Sequence, residues 1–242
     1  LPGIEGGKVA MGVDALPATA QICSCYDVSK GAICTLVLEG TTSVAGIKAA
    51  TYVYLLDFPN AAAQGNATYG LTLSGTTKPG SGATVTGRAE YARQTDYGGS
   101  PLSYATDYAG AELGLGFAPG TLALGGEWLG SDGGTVFRTP LATLHAFNGW
   151  ADLFTTTPGN GLQDVYVKAN VTLPAAVKAT LRHHWFEARR RGAVYGREWD
   201  AQLSRAFRGS VIATTKYARF TPAEGASYPE VVKLWIQLEF IR

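Results

Sequence analysis

Val231-Val232-Lys233-Leu234-Trp235-Ile236-Gln237-Leu238-Glu239-Phe240 decides how the rest of the chain is read. Successive side chains of a strand point to opposite faces. Val232, Leu234, Ile236, Leu238 and Phe240 therefore share one face, and Lys233, Trp235, Gln237 and Glu239 share the other. The first face is wholly apolar and has to meet an apolar medium. Either it is the core side of an edge strand in a soluble sandwich, or it faces lipid. The sequence on its N-terminal side decides between them.

Reading backwards from Phe240, segments of about ten alternating residues recur, each followed by a turn. Strands are expected at 32–39, 45–57, 66–75, 83–94, 104–117, 120–130, 163–174, 177–190, 197–207, 210–220 and 230–241. One more near 7–14 brings the count to about twelve, and closed bacterial barrels use even numbers. The connections alternate in length. Those at 39–43, 78–82, 117–120, 173–175 and 207–209 are short. Those at 58–65, 94–102, 130–162, 188–196 and 221–229 are long. Transmembrane barrels keep short turns at the periplasm and long loops outside, which puts the C-terminus in the periplasm. A soluble meander has no reason to keep this parity. The expected fold is all-β: an antiparallel transmembrane β-barrel of about 12 strands, on its own or as part of a larger one. Residues 1–31 form an irregular, Cys-containing segment, 32–242 the barrel, and 130–162 its long extracellular loop.

Composition agrees. Charged residues are 16% of the 242, against about 25% in soluble domains, while 31 residues are Gly and 12 are Tyr. No run of about 18 apolar residues exists for a membrane helix, so any span must be made by strands. The net charge of +1 gives no bulk attraction to nucleic acid. The chain begins at Leu1 rather than Met, which leaves processing, trimming or further upstream sequence open.

Several stretches carry a resemblance. Thr139-Pro-Leu-Ala-Thr-Leu-His145-Ala-Phe-Asn-Gly-Trp150-Ala-Asp-Leu-Phe154 and Thr157-Pro-Gly-Asn-Gly161-Leu-Gln-Asp164 resemble the alginate-export family of outer-membrane proteins. So do Tyr52-Val-Tyr-Leu-Leu-Asp-Phe58, Tyr91-Ala-Arg-Gln-Thr-Asp-Tyr97 and Leu234-Trp-Ile-Gln-Leu-Glu-Phe240. A terminal amphipathic strand ending in Phe is similar to the assembly signal of such proteins, although Ile241-Arg242 follows it here. The resemblance covers about 41–242. It implies an outer-membrane porin or export channel for small or chain-like anionic solutes, polysaccharide included. Family members are longer, and the first 40 residues, with Gln21-Ile-Cys-Ser-Cys-Tyr26, are unlike them.

Strand parity nominates the lumen residues. Lys168, Lys178, Arg182, His184, Lys216 and Arg88 point inward as a candidate anion path. Glu90, Glu112, Glu127, Glu198 and Asp200 are their acidic counterparts. A Lys or Arg facing lipid costs roughly 2–4 kcal/mol at the midplane, so the charges fix the parity more firmly than the apolar residues do. The basic residues form either a cationic stripe in an open pore or a plug of paired charges. In the second case the barrel is a structural scaffold that anchors a partner, with the N-terminal segment as the docking element. Arg189, Arg190 and Arg191 fall at the outer rim, where they would meet lipopolysaccharide or simply solvent. His145, Phe147, Trp150 and Phe154 are expected to pack the long loop against the barrel mouth.

Little supports catalysis. There is no GxSxG, and three histidines offer no Ser–His arrangement. His183 and His184 point to opposite faces, so they are not a metal pair. Cys23, Cys25 and Cys34 make no CxxC unit, which leaves zinc and haem without a motif. A Cys23–Cys34 or a Cys25–Cys34 bridge is compatible with an oxidising compartment. No cofactor is expected.

Overall fold

The computed structural model describes residues 21–23, 28–29, 34–44, 46–58, 60–80, 82–139, 147–190, 192–207 and 211–240. The strands are β1 (Gln21–Cys23), β2 (Val28–Ser29), β3 (Cys34–Val44), β4 (Ile47–Asp57), β5 (Asn66–Gly80), β6 (Ala83–Asp96), β7 (Ala105–Phe117), β8 (Gly120–Leu129), β9 (Ser131–Asp132), β10 (Thr135–Val136), β11 (Leu162–Leu173), β12 (Val177–Glu187), β13 (Val194–Phe207), β14 (Val211–Pro222) and β15 (Val231–Phe240).

One antiparallel sheet of eleven strands holds β3 to β8 and β11 to β15, each beside its neighbour in sequence. This is the meander that a run of hairpins dictates. The strand expected near 7–14 and most of the 1–31 segment lie outside the described residues; within that segment β1 pairs with β2. Short and long connections alternate throughout the large sheet. The turn expected at 39–43 is a correction. β3 runs through it to Val44, which pairs with Ile47 of β4, and Gly46 takes φ +79. Thr41, Thr42 and Ser43 suit a strand, whereas a two-residue hairpin needs a left-handed position, which Gly supplies without a steric cost.

The register sorts every strand into two faces. Ala169, Leu181, Ala201, Tyr217 and Leu234 lie in one row across five strands. That face is the exposed one, with Leu234 at 64% and Ile236 at 78%. The opposite face carries Asp164, Glu198 and Asp200, all at 0%. This inverts a soluble protein. Leaving a Leu or Ile side chain in water forgoes about 1.5–3 kcal/mol each, so the outer face belongs in lipid. On the inner face, large rings lie flat over glycines. Tyr52 covers Gly70 and Tyr166 covers Gly125, and a Cβ at either glycine would collide with the ring.

The connection between β8 and β11 folds inward. After the β9–β10 hairpin, Gln94 of β6 clamps Arg138, accepting its N–H (2.8 Å) and donating to its carbonyl (2.9 Å). Thr157 donates to the Phe137 carbonyl (2.7 Å), and Ser131 donates to that of Gly159 (2.6 Å). Phe154 reaches a buried cluster of rings from Phe186, Tyr195, Phe220 and Tyr228, with centroids 4.6–5.8 Å away. A loop with this many aromatic side chains has to be covered, and the inner wall covers it.

Candidate functional site: the inner wall and the inward loop

Between the inward loop and the wall of β6, β7, β8, β11 and β12 lies a cavity of about 230 Å³. The same parity that sends leucines outward sends charges into it. Lys168 binds Glu112 through both oxygens, at 2.7 and 3.0 Å, and Tyr166 donates to the same carboxylate (2.8 Å). Arg88 pairs with Glu90 (2.6 Å), which also accepts from Tyr52 (2.7 Å). Tyr108 donates to Glu127 (2.8 Å). Deeper in the wall, His184 Nδ1 stands 2.9 Å from both oxygens of Asp164, and its Nε2 is 3.5 Å from Asp200. Such charge-assisted bonds hold side chains in fixed positions as well as neutralising them.

Arg88, Lys168, Arg182 and His184 line the cavity, together with Glu90, Glu112 and Glu127. Lys216 does not. It stands against Trp150, its Nζ 5.5 Å from the ring centroid, while the Arg182 guanidinium is 5.2 Å from the same ring. Lys178 is exposed near the short-turn end of β12. Of the candidate anion path, Lys168 is paired with Glu112, and Arg182 and Lys216 both stand against the Trp150 ring. Glu198 and Asp200 do not face the cavity. They are covered by the loop, and Glu198 Oε1 accepts the Ala151 N–H (2.7 Å).

Of the loop residues, Phe147 is half exposed at the cavity, whereas Trp150 and Phe154 are buried. His145 and Arg191 lie outside the described residues. Sequence reasoning missed Asp164, Tyr108, Tyr166 and Asp152. Asp164 was within reach, because it shares a row with Glu127. Asp152 was not: its bond to Lys233 (3.0 Å) depends on where the loop lands. Burial pushes the phenol of Tyr228, in the last long connection, above its ordinary value. Among the described residues no group of His, Cys, Asp and Glu is arranged to hold a metal.

No family model matches the chain. Solved structures do. OccAB2 of Acinetobacter baumannii superposes with a TM-score of 0.65 at 14% identity, covering 84% of this chain and 53% of that one. OpdK of Pseudomonas aeruginosa, solved with vanillate, gives 0.60 at 13%, covering 84% and 54%. OccK5 (OpdH) of the same organism gives 0.59 at 9%, covering 81% and 56%. The chain spans about half the length of these outer-membrane channels. They correct the alginate-export resemblance, because the structures that share this fold are OccAB, OccK and Opd channels.

Two curated proteins match only a short stretch of 52 residues. They are the large subunits of nitrite reductases, one from Klebsiella oxytoca (54% identical) and one from Escherichia coli K12 (50%). The stretch is 21% of this chain and 5% and 6% of theirs. The fold of the sheet region is that of the outer-membrane β-barrel channels.

Proposed function

We propose that the chain forms wall and constriction of an outer-membrane porin that passes small solutes. The observation that carries this is the cavity between loop and wall, polar and lined by both signs of charge, inside a sheet whose other face is apolar. The neighbouring channels support it, one of them solved with vanillate. Passage needs a lined path and no bond chemistry. The nitrite reductase activity stays with the proteins that bear that name, since the likeness is so short.

An anion preference is the finer part of the reading. Lys178 is exposed, and Arg182 and Lys216 are partly so, whereas Asp164, Glu198 and Asp200 are fully buried. The charge presented to the lumen on this side is thus cationic, and a narrow low-dielectric pore focuses even a small surplus. On the outside, the apolar face meets lipid, and the exposed Arg189 and Arg190 between β12 and β13 meet the phosphates of lipopolysaccharide.

A second reading has an observation of its own. The loop buries Trp150 and Phe154 against the wall, as a plug in a structural barrel would. Such a barrel would anchor a partner, with the N-terminal segment as the docking element. Planar-bilayer recording of the folded protein separates the two. Unitary current steps, with a reversal potential displaced toward anions in a salt gradient, are the expected result. Silent bilayers from folded protein would reject the porin in favour of the plugged scaffold.

A further inference from the structure

Asn148-Gly149-Trp150-Ala151-Asp152 has an unusual backbone. Asn148, Gly149 and Asp152 have φ of 55, 82 and 55. Gly149 is there for a reason besides its dihedral: a Cβ would stand 2.6 Å from Glu198 Oε1. The segment brings its main chain against that carboxylate. Glu198 is fully buried, and the loop supplies the Ala151 N–H to it. Asp152 ties the far end to Lys233 of β15. Between these two holds Trp150 is pressed, 4% exposed, against Arg182 of β12 and Lys216 of β14. Cation–π contacts to a desolvated indole are among the stronger of their kind.

We propose that Trp150 is the occluding and selectivity-setting residue of the lumen, and that Glu198 is the positioning residue that latches it. The inference rests on the porin reading. Latched, the indole fills the space beside β12–β14 and covers part of Arg182, which also lines the cavity, and part of Lys216, which does not. Released, it would widen the lumen past Lys216 and more of Arg182, a route more favourable to anions than the stretch where Lys168 and Arg88 already have carboxylate partners.

Four variants recorded in planar bilayers test this. Trp150→Ala should raise unitary conductance by about twofold or more and move the reversal potential further toward anions, as expected when a pore-lining obstacle is removed. Trp150→Phe keeps an aromatic cover and should stay near the parent. Glu198→Gln retains an acceptor for the Ala151 N–H and should also resemble the parent. Glu198→Ala removes the latch and should behave like Trp150→Ala. Limited proteolysis of each variant reports whether the loop has stayed in place. A parent that conducts, with Trp150→Ala indistinguishable from it and equally protease-resistant, would overturn the gate while leaving the porin standing. If neither the parent nor Trp150→Ala conducts, the porin reading fails and the gate fails with it. Current from Trp150→Ala alone would overturn the proposal as well, making Trp150 the plug of a closed scaffold rather than the selectivity-setting residue of an open pore.

Discussion

At the scale of single residues, the chain follows the economics of lipid rather than water. Ile236 is 78% exposed while Asp164, Glu198 and Asp200 are fully buried. The residue after Ile236 should then differ from it in one respect above all, the face it occupies. Ile236→Arg, near the middle of β15, puts a charge into lipid at roughly 2–4 kcal/mol. Gln237→Arg puts the same charge on the inner face and should cost far less. Folding yield in detergent, read from gel migration that shifts only on boiling, should drop for the first variant and hold for the second. Equal yields would mean that the faces are assigned wrongly. This sorting was legible in the sequence, because alternation and the price of a buried charge both act locally along a strand. The partners of the charges were not. Arg182 and Lys216 find Trp150, and Lys233 finds Asp152, only because a distant loop lands against them.

At the scale of elements, the strands were readable to within a few residues, and the errors have physical causes. The β3–β4 turn was placed too early because Gly40 and the hydroxyls after it look like turn chemistry. The strand register rewards continuing to Val44, with Gly46 taking the left-handed position. The length of the 130–162 connection was evident, and so was its aromatic content, but not its anchors. Gln94 is the chief of these. It is buried in β6 and bonded to Thr68 (2.9 Å) as well as to both main-chain groups of Arg138. Gln94→Ala strands those two groups, and an unsatisfied buried polar group costs about 1–3 kcal/mol. That is enough to populate an open loop. The parent should resist added protease within 139–160, and Gln94→Ala should be cut there while the sheet stays intact. Resistance equal to the parent's would show that the ring cluster around Phe154 holds the loop unaided.

At the scale of the whole molecule, the number of strands has a geometric consequence. Among the described residues, eleven neighbours, each antiparallel to the last, make β3 and β15 run the same way, from the long-connection end to the short-turn end. Joined edge to edge they would form a parallel pair. Parallel pairing is foreign to single-chain bacterial barrels, whose strand counts are even. Yet an open edge in a membrane leaves backbone N–H and C=O groups unpaired in hydrocarbon, at several kcal/mol for each group. An odd number of further strands between β3 and β15 satisfies both conditions and gives an even total. Single cysteines can test the spacing. Thr42 and Leu238 both lie two residues from the short-turn ends of their strands, so direct neighbours would place one near the other whatever the shear, within a pleat or two. Thr42→Cys combined in turn with Leu234→Cys, Ile236→Cys or Leu238→Cys should give no disulfide in the folded, membrane-inserted protein under mild oxidation. A disulfide in any of the three would mean that β3 and β15 touch, and that this barrel closes on eleven strands against the parity of its class.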